Sequence, residues 1–234
     1  MRARKYYNIA AEASKKIDGH PGLERLRKIC SQSKKVLDVG CGEGSRLNTL
    51  GGGTGIDINR FAIEQAKKNY PKSDFKLASV EKLPFKDKSF NLVYSAFVIE
   101  HVQNPEKMLD EMIRVSSKHV VILCPNYGAP NRRSPVSTEN PIIKLVKGLF
   151  WLPKPEILGW TKVTPRKKYL NIDDDTTVEP YLYSLIRYLE HKGLKIEEYS
   201  SLWELEPFTL NPRKLFFKLF FQYCGPQIFL VAHI

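Results

Sequence analysis

Residues 36–44 read VLDVGCGEG, an apolar run that ends in three glycines, Gly40, Gly42 and Gly44, spaced two apart. An apolar run closed by glycine fits a strand buried on both faces of a parallel sheet. The turn after it is almost free of side chains, and glycine is the residue that accepts positive φ and lets a ligand touch backbone amides. The next apolar run, GTGIDI at 53–58, closes on Asp57. In open parallel sheets ligands bind beyond the carboxyl ends of the strands, and both features fall there. Together they point to an α/β sheet with a ligand held against its backbone.

The first half of the chain keeps the alternation that such a sheet needs. KKVLDVG (34–40), GTGIDI (53–58), FKLASV (75–80), SFNLVYSAFVI (89–99, running on into a loop or helix) and HVVILCP (119–125) are strand-like, while SRLNTL (45–50), RFAIEQAKKNY (60–70) and PEKMLDEMIRVSS (105–117) are helical. Pro105 suits a first helical position, and Met108, Leu109, Met112, Ile113 and Val115 supply the apolar stripe. Strands alternating with helices define an α/β sheet with crossover helices. The rhythm stops after Pro125. Residues 126–175 hold six prolines together with Trp151 and Trp160, a segment too long for an ordinary connection and expected to be a functional insertion or lid. VEPYLYSLIRYLEHKG (178–193) then predicts a helix ended by Gly193, LKIEEYS (194–200) a strand and PQIFLVAHI (226–234) a last strand. The expected organisation is one domain over 1–234, with a helical arm at 1–33 and a basic, Pro-rich insertion at 126–176.

The turn itself excludes two nucleotide sites. A phosphate-binding loop needs a Gly-Lys-Ser/Thr ending, which GEGSR lacks. A dinucleotide turn reads G-x-G-x-x-G, and here the third glycine comes one position early, with Ser45 in its place. Asp57 is placed to accept hydrogen bonds from both hydroxyls of a ribose. Cys41 stands inside the turn, where a small residue is needed, and is expected to pack rather than react.

No stretch approaches the roughly eighteen apolar residues of a membrane span, and no apolar core follows the basic start, so neither a span nor export is expected. Cys30, Cys41, Cys124 and Cys224 form no CxxC pair and have no histidine cluster nearby, which argues against structural zinc and against a disulfide framework. A cytoplasmic location follows. The net charge of +12 is uneven: residues 1–35 carry ten Lys/Arg against three acids, and residues 126–172 carry nine against two. The basicity therefore belongs to the two additions, and it suits an anionic partner or a solvated face.

The run VLDVGCGEG, then GIDIN, then SVEKLPFKDKSFNLVYSAFVIEHV resembles the class I S-adenosylmethionine-dependent methyltransferases, most closely the branch with the quinone-biosynthesis enzymes and many small-molecule methyltransferases. The resemblance covers roughly residues 30–125. It implies a Rossmann-like, seven-stranded, mostly parallel sheet with helices on both faces and an antiparallel last strand, and S-adenosyl-L-methionine as cofactor. By the same resemblance Asp38, Gly40, Cys41, Gly42 and Gly44 form the loop under the methionine part, with Asp38 near its amino end. Asp57 binds the ribose, Ile58 packs on the adenine, Val80 and Glu81 flank it, and Ser95 sits near the methionine end. Two positions depart from the pattern: Ser79 and Asn91 stand where the family often has acids. Some relatives place a metal on Glu-x-x-Glu-His, but Phe97 occupies the first of those positions and no metal is expected.

In such an enzyme the protein supplies orientation, desolvation and, for a neutral nucleophile, a base. His101, after the fourth strand, is the candidate general base; with Glu100 it can equally orient the loop. His20, His119 and His191 read as structural or solvated, and His233 is the next-to-last residue. Acceptor choice is expected in the additions: Tyr6 and Tyr7 of the arm, and Tyr127, Arg132, Arg133, Trp151, Trp160, Arg166, Lys167 and Lys168 of the insertion. Cations with aromatics suit a small or lipid-like, anionic or amphiphilic acceptor methylated on oxygen or carbon. PRKLFFKLFFQY (212–223) reads as a helix packed on the sheet, or as a membrane-surface helix that would give peripheral membrane contact. An RNA acceptor held along the two basic segments is a second reading, although the tetrapeptide of many amino-methylating nucleic-acid enzymes is missing. A non-catalytic S-adenosylmethionine-binding module is a third, and the glycine spacing disfavours a nicotinamide dehydrogenase.

Overall fold

A computed structural model describes residues 20–129, 140, 142–143, 146, 155–165, 175–200 and 227–234. Tyr6, Tyr7, Arg132, Arg133, Trp151, Arg166, Lys167, Lys168, Cys224 and the 212–223 segment lie outside the described residues. The chain forms α1 (Pro21–Ser31), β1 (Val36–Val39), α2 (Ser45–Thr49), β2 (Thr54–Asp57), α3 (Arg60–Asn69), β3 (Asp74–Leu77) and β4 (Phe90–Ala96). A 3₁₀ turn (Ile99–His101), α4 (Pro105–Val115), β5 (Ser116–Pro125), β6 (Thr161–Lys162), β7 (Val178–Glu179), α5 (Leu182–His191), β8 (Lys195–Ser200) and β9 (Gln227–His233) follow.

Seven of these strands make one sheet in the order β3-β2-β1-β4-β5-β9-β8, and β6 and β7 pair separately. The order reverses at β1, where β2 lies on one side and β4 on the other, both parallel to it. That reversal opens a crevice at the carboxyl ends, directly after Val39. β9 runs antiparallel to both β5 and β8. The expected mostly parallel, seven-stranded sheet with an antiparallel last strand is therefore what forms.

Alternation along the strands feeds two cores. Val93, Val120, Ile122, Ile228 and Leu230 face α4 and α5, which contribute Met108, Leu109, Met112, Leu185 and Leu189. Leu92, Tyr94, Val121, Phe229 and Val231 face the other way, toward Leu26 and Cys30 of α1, Leu47 of α2 and Ile63 and Ala66 of α3. Helices thus cover both faces, which is why the strands read as apolar runs.

Several boundaries differ from expectation: β3 ends at Leu77 rather than Val80, and two others have evident causes. The helix predicted from Val178 begins at Leu182, because Pro180 disfavours helical backbone in the residue before it and Val178 and Glu179 pair instead with Lys162 and Thr161. β5 begins at Ser116 rather than His119, since its polar start Ser-Ser-Lys carries no apolar signal, although Ser116 already stands opposite Phe90 in the ladder.

Candidate active site

The glycine turn is pinned before it can hold anything. Backbone N–H groups of Gly40 and Cys41 both donate to the carbonyl of Ile56, at 2.9 and 2.8 Å, so the turn is laced onto β2. Gly40, Gly42 and Gly44 all have positive φ, at 86°, 55° and 82°. Their surroundings differ. A Cβ on Gly40 would meet Val98 at 2.4 Å and one on Gly44 would meet Phe75 at 2.6 Å, whereas one on Gly42 would meet nothing within 4 Å. Gly40 and Gly44 are thus demanded by packing as well as by φ, and Gly42 by its φ alone, with open space above it. Cys41 is buried with its sulfur against Gly55, and burial pushes its thiol far above the ordinary range. It packs, as expected.

Asp57 closes β2 and joins the turn: its carboxylate accepts from the backbone N–H of Gly42 at 2.9 Å and from that of Asn59 at 2.7 Å. Burial raises its pKa while these backbone donors act in the opposite direction. Ile58 is 74% exposed beside it, an apolar side chain held out where an aromatic ring could cover it. Val80 is half-buried against the core. The carboxylate of Glu81 is directed instead at Asn104, accepting from its side chain at 2.9 Å, so it braces the start of α4. Ser79, in the place of an acid, accepts from the Glu81 backbone at 3.2 Å. Asn91 ties Lys35 to the start of β4 at the amino end of the sheet and takes no part in the crevice.

Asp38 is fully buried at the end of β1. One carboxylate oxygen accepts from the Tyr94 hydroxyl at 2.8 Å, and the other, Oδ1, has no partner among the described residues. Burial pushes its pKa up to about 6, against the nearby Arg46 charge and the Tyr94 hydrogen bond, which lower it. Arg46 is anchored on the Ala96 carbonyl at 2.8 Å. Ser95 is buried, and its hydroxyl too lacks a partner among the described residues. These features fit the amino-acid end of a cofactor: an ammonium would satisfy Asp38, and the space over Gly42 admits the rest. The residues that could hold such a cofactor are Asp38, the Gly40–Gly44 turn, Asp57 and Ile58.

Beyond β4 the backbone turns sharply at Phe97, a non-glycine residue at φ 58°. Single residues in this region cost about 1–2 kcal/mol. The turn lays Val98 over Gly40 and leads into Ile99–His101. There Nδ1 of His101 lies 2.8 Å from a carboxylate oxygen of Asp175, and Nε2 lies 3.7 Å from Glu100. Thr177 straps this turn, its backbone N–H and hydroxyl both reaching the Glu100 carbonyl, at 2.9 and 3.2 Å. Asp175, Arg46 and Tyr94 escaped the sequence reading. Asp175 is brought in by the return of the insertion, for which no spacing rule exists, while Arg46 directly follows the glycine turn and could have been suspected from that position.

Sheet order, crevice and turn together are those of the Rossmann-like fold found in class I S-adenosylmethionine-dependent methyltransferases. Over residues 37–124 the chain matches the family described as methyltransferase domain. Norajmaline N-methyltransferase of Rauvolfia serpentina is 30% identical over 128 residues, which are 48% of this chain and 44% of that one. Phosphatidylethanolamine N-methyltransferase of Cereibacter sphaeroides is 23% identical over 58% of this chain and 71% of its own. An S-adenosylmethionine-dependent methyltransferase structure from Thermotoga maritima has the same fold, with a TM-score of 0.60 at 14% identity and 97% coverage of each chain. The chain spans less than half the length of several relatives, the norajmaline enzyme included.

Proposed function

We propose that this protein transfers a methyl group from S-adenosylmethionine to a small or lipid-like acceptor, anionic or amphiphilic, on an oxygen or carbon atom. The observation that carries the acceptor class is the surface of the insertion. Its described residues Tyr127, Leu158 and Trp160 are buried in the main core, while Ile142, Ile143, Val146 and Ile157 are 48–70% exposed. Described residues of the insertion that are anchored in the core at some positions and apolar and exposed at others suit a cap over an apolar acceptor, and the basic residues that the sequence places in the same segment suit an anionic group. The two named relatives methylate nitrogen, on norajmaline and on phosphatidylethanolamine; they support the small or lipid-like class and not the oxygen or carbon atom.

When bound, S-adenosylmethionine supplies a sulfonium methyl group open to in-line displacement. The chain's part is to orient the acceptor, exclude water and remove its proton. The Asp175 carboxylate, 2.8 Å from Nδ1 of His101, favours the tautomer with its proton on Nδ1 and its lone pair on Nε2, the arrangement that makes an imidazole a base. The buried Glu100 and the Thr177 strap keep that ring in place.

The test is a labelled-methyl transfer assay against fatty acids, phospholipid vesicles, aromatic hydroxy acids and total RNA. Label is expected in a lipid or small-molecule product and to survive ribonuclease. Label confined to RNA would overturn the acceptor class.

A further inference from the structure

At the opposite end of the sheet, three side chains of metal-ligand type converge from three strands. His119 of β5 stands directly across from His233 of β9, and the same register continues to Lys195 of β8. Paired residues share a face; His119 and His233 stand two residues from Val121 and Val231, on the same face, so this is the face covered by α1. The two rings meet edge-on with centroids 5.2 Å apart. β8 is irregular between Ile196 and Glu198, so that Glu197 is an extra residue fed into the row. Such a bulge re-aims a side chain. Here it sends the Glu197 carboxylate across β9 to 3.1 Å from Nε2 of His119, while Glu198 pairs with Arg25 of α1. One donor atom from each of His119, Glu197 and His233 lies within 4.8 Å of the other two.

We infer that His119, Glu197 and His233 form a binding site for one divalent transition-metal cation of the zinc type. Bonds of 2.0–2.2 Å in a tetrahedral site put ligand atoms about 3.4 Å apart. The His119–Glu197 separation of 3.1 Å is already close to that, and rotation of the side chains closes the rest. A plain ion pair accounts for His119 and Glu197 but not for the histidine donor of β9 on the same spot. The Glu197 side chain is 41% exposed and that of His119 16%, so water can complete the shell. Two imidazoles with one carboxylate favour zinc, cobalt, nickel or copper over magnesium or calcium. Lys118 and Lys195 flank the row and oppose the cation, which points to moderate affinity. His119 lies six residues before Pro125 on β5, roughly 20 Å from the crevice at about 3.3 Å per residue. The ion would therefore clamp β5, β9 and β8 together rather than enter the methyl transfer. The isolated cysteines gave no hint of it, because the three ligands are joined only by strand register.

The test uses the untagged full chain, stripped with chelator. Zinc binding is followed by calorimetry, cobalt binding by visible absorption, and Tm is measured against metal concentration. One metal per chain, a tetrahedral cobalt spectrum and a Tm that climbs with metal are expected. Glu197→Gln, at an exposed position, and His233→Gln should each weaken binding about tenfold or more. Asp57→Ala should leave it unchanged, which separates this site from the cofactor crevice. Absence of saturable binding, or a parent-like affinity in either ligand variant, would overturn the inference.

Discussion

Gly42 and Gly40 share a conformation but not their surroundings, and the difference can be measured. Gly42→Ala adds a methyl group into space the protein itself leaves open. It should cost only about 1 kcal/mol of stability for its positive φ, yet lower S-adenosylmethionine affinity at least about tenfold, read by calorimetry. Gly40→Ala drives a methyl into Val98 and should lower Tm far more. Asp38 offers a second test. Its pKa is raised from 3.8 to about 6 by burial, so between these values the folded state binds more protons than the unfolded one. Stability of the free protein therefore falls as pH rises from about 4 to about 6 and stays at the lower level above, a penalty of about 3 kcal/mol at most. Asp38→Asn should remove that slope and raise Tm at pH 7. A cofactor ammonium on Oδ1 favours the charged carboxylate, so affinity should rise through pH 6 in the parent and not in the variant. For His101→Gln, kcat should drop by about a hundredfold or more with cofactor affinity unchanged; retention of full kcat would remove His101 as base.

At the level of elements, α4 shows what was legible. Its stripe of Met108, Leu109, Met112, Ile113 and Val115 could be read from spacing alone; four of the five are fully buried and Ile113 is partly buried against the same core. Met112→Ala should cost about 2–5 kcal/mol in denaturant unfolding; a loss below about 1 kcal/mol would mean that the α4 face is looser than described. The strands β1, β2 and β4 were equally readable, because being buried on both faces leaves continuous apolar runs. What the pattern hides is pairing that runs through backbone atoms or through a bulge. Ser116–Lys118 join β5 with no apolar signal, Val178 and Glu179 pair with β6 although their neighbours read as helix, and Glu197 is aimed by an irregularity that no residue type announces. The turn and Asp57 were legible as a site because glycine spacing and a strand-ending acid reflect local geometry. Asp175 was not, because only the return of a long insertion brings it to His101.

Across the whole molecule, charge and fold separate cleanly. Residues 36–125, which build the crevice, carry twelve Lys/Arg against eleven acids, while the excess positive charge lies at 1–35 and 126–172. No described helix is long and apolar enough to cross a membrane. Binding at the crevice acts on the fold as a whole: S-adenosylmethionine at about a hundred times its Kd should add roughly 2.7 kcal/mol of stability, a Tm rise on the order of 5–10 °C for a chain of this size. The central claim is that the Gly40–Gly44 turn and Asp57 hold that cofactor. Isothermal titration of the full chain with S-adenosylmethionine, beside Asp57→Ala, tests it most directly. One site per chain, with affinity lost by about tenfold or more in the variant, is the predicted result; no binding, or the same affinity in both proteins, would contradict it.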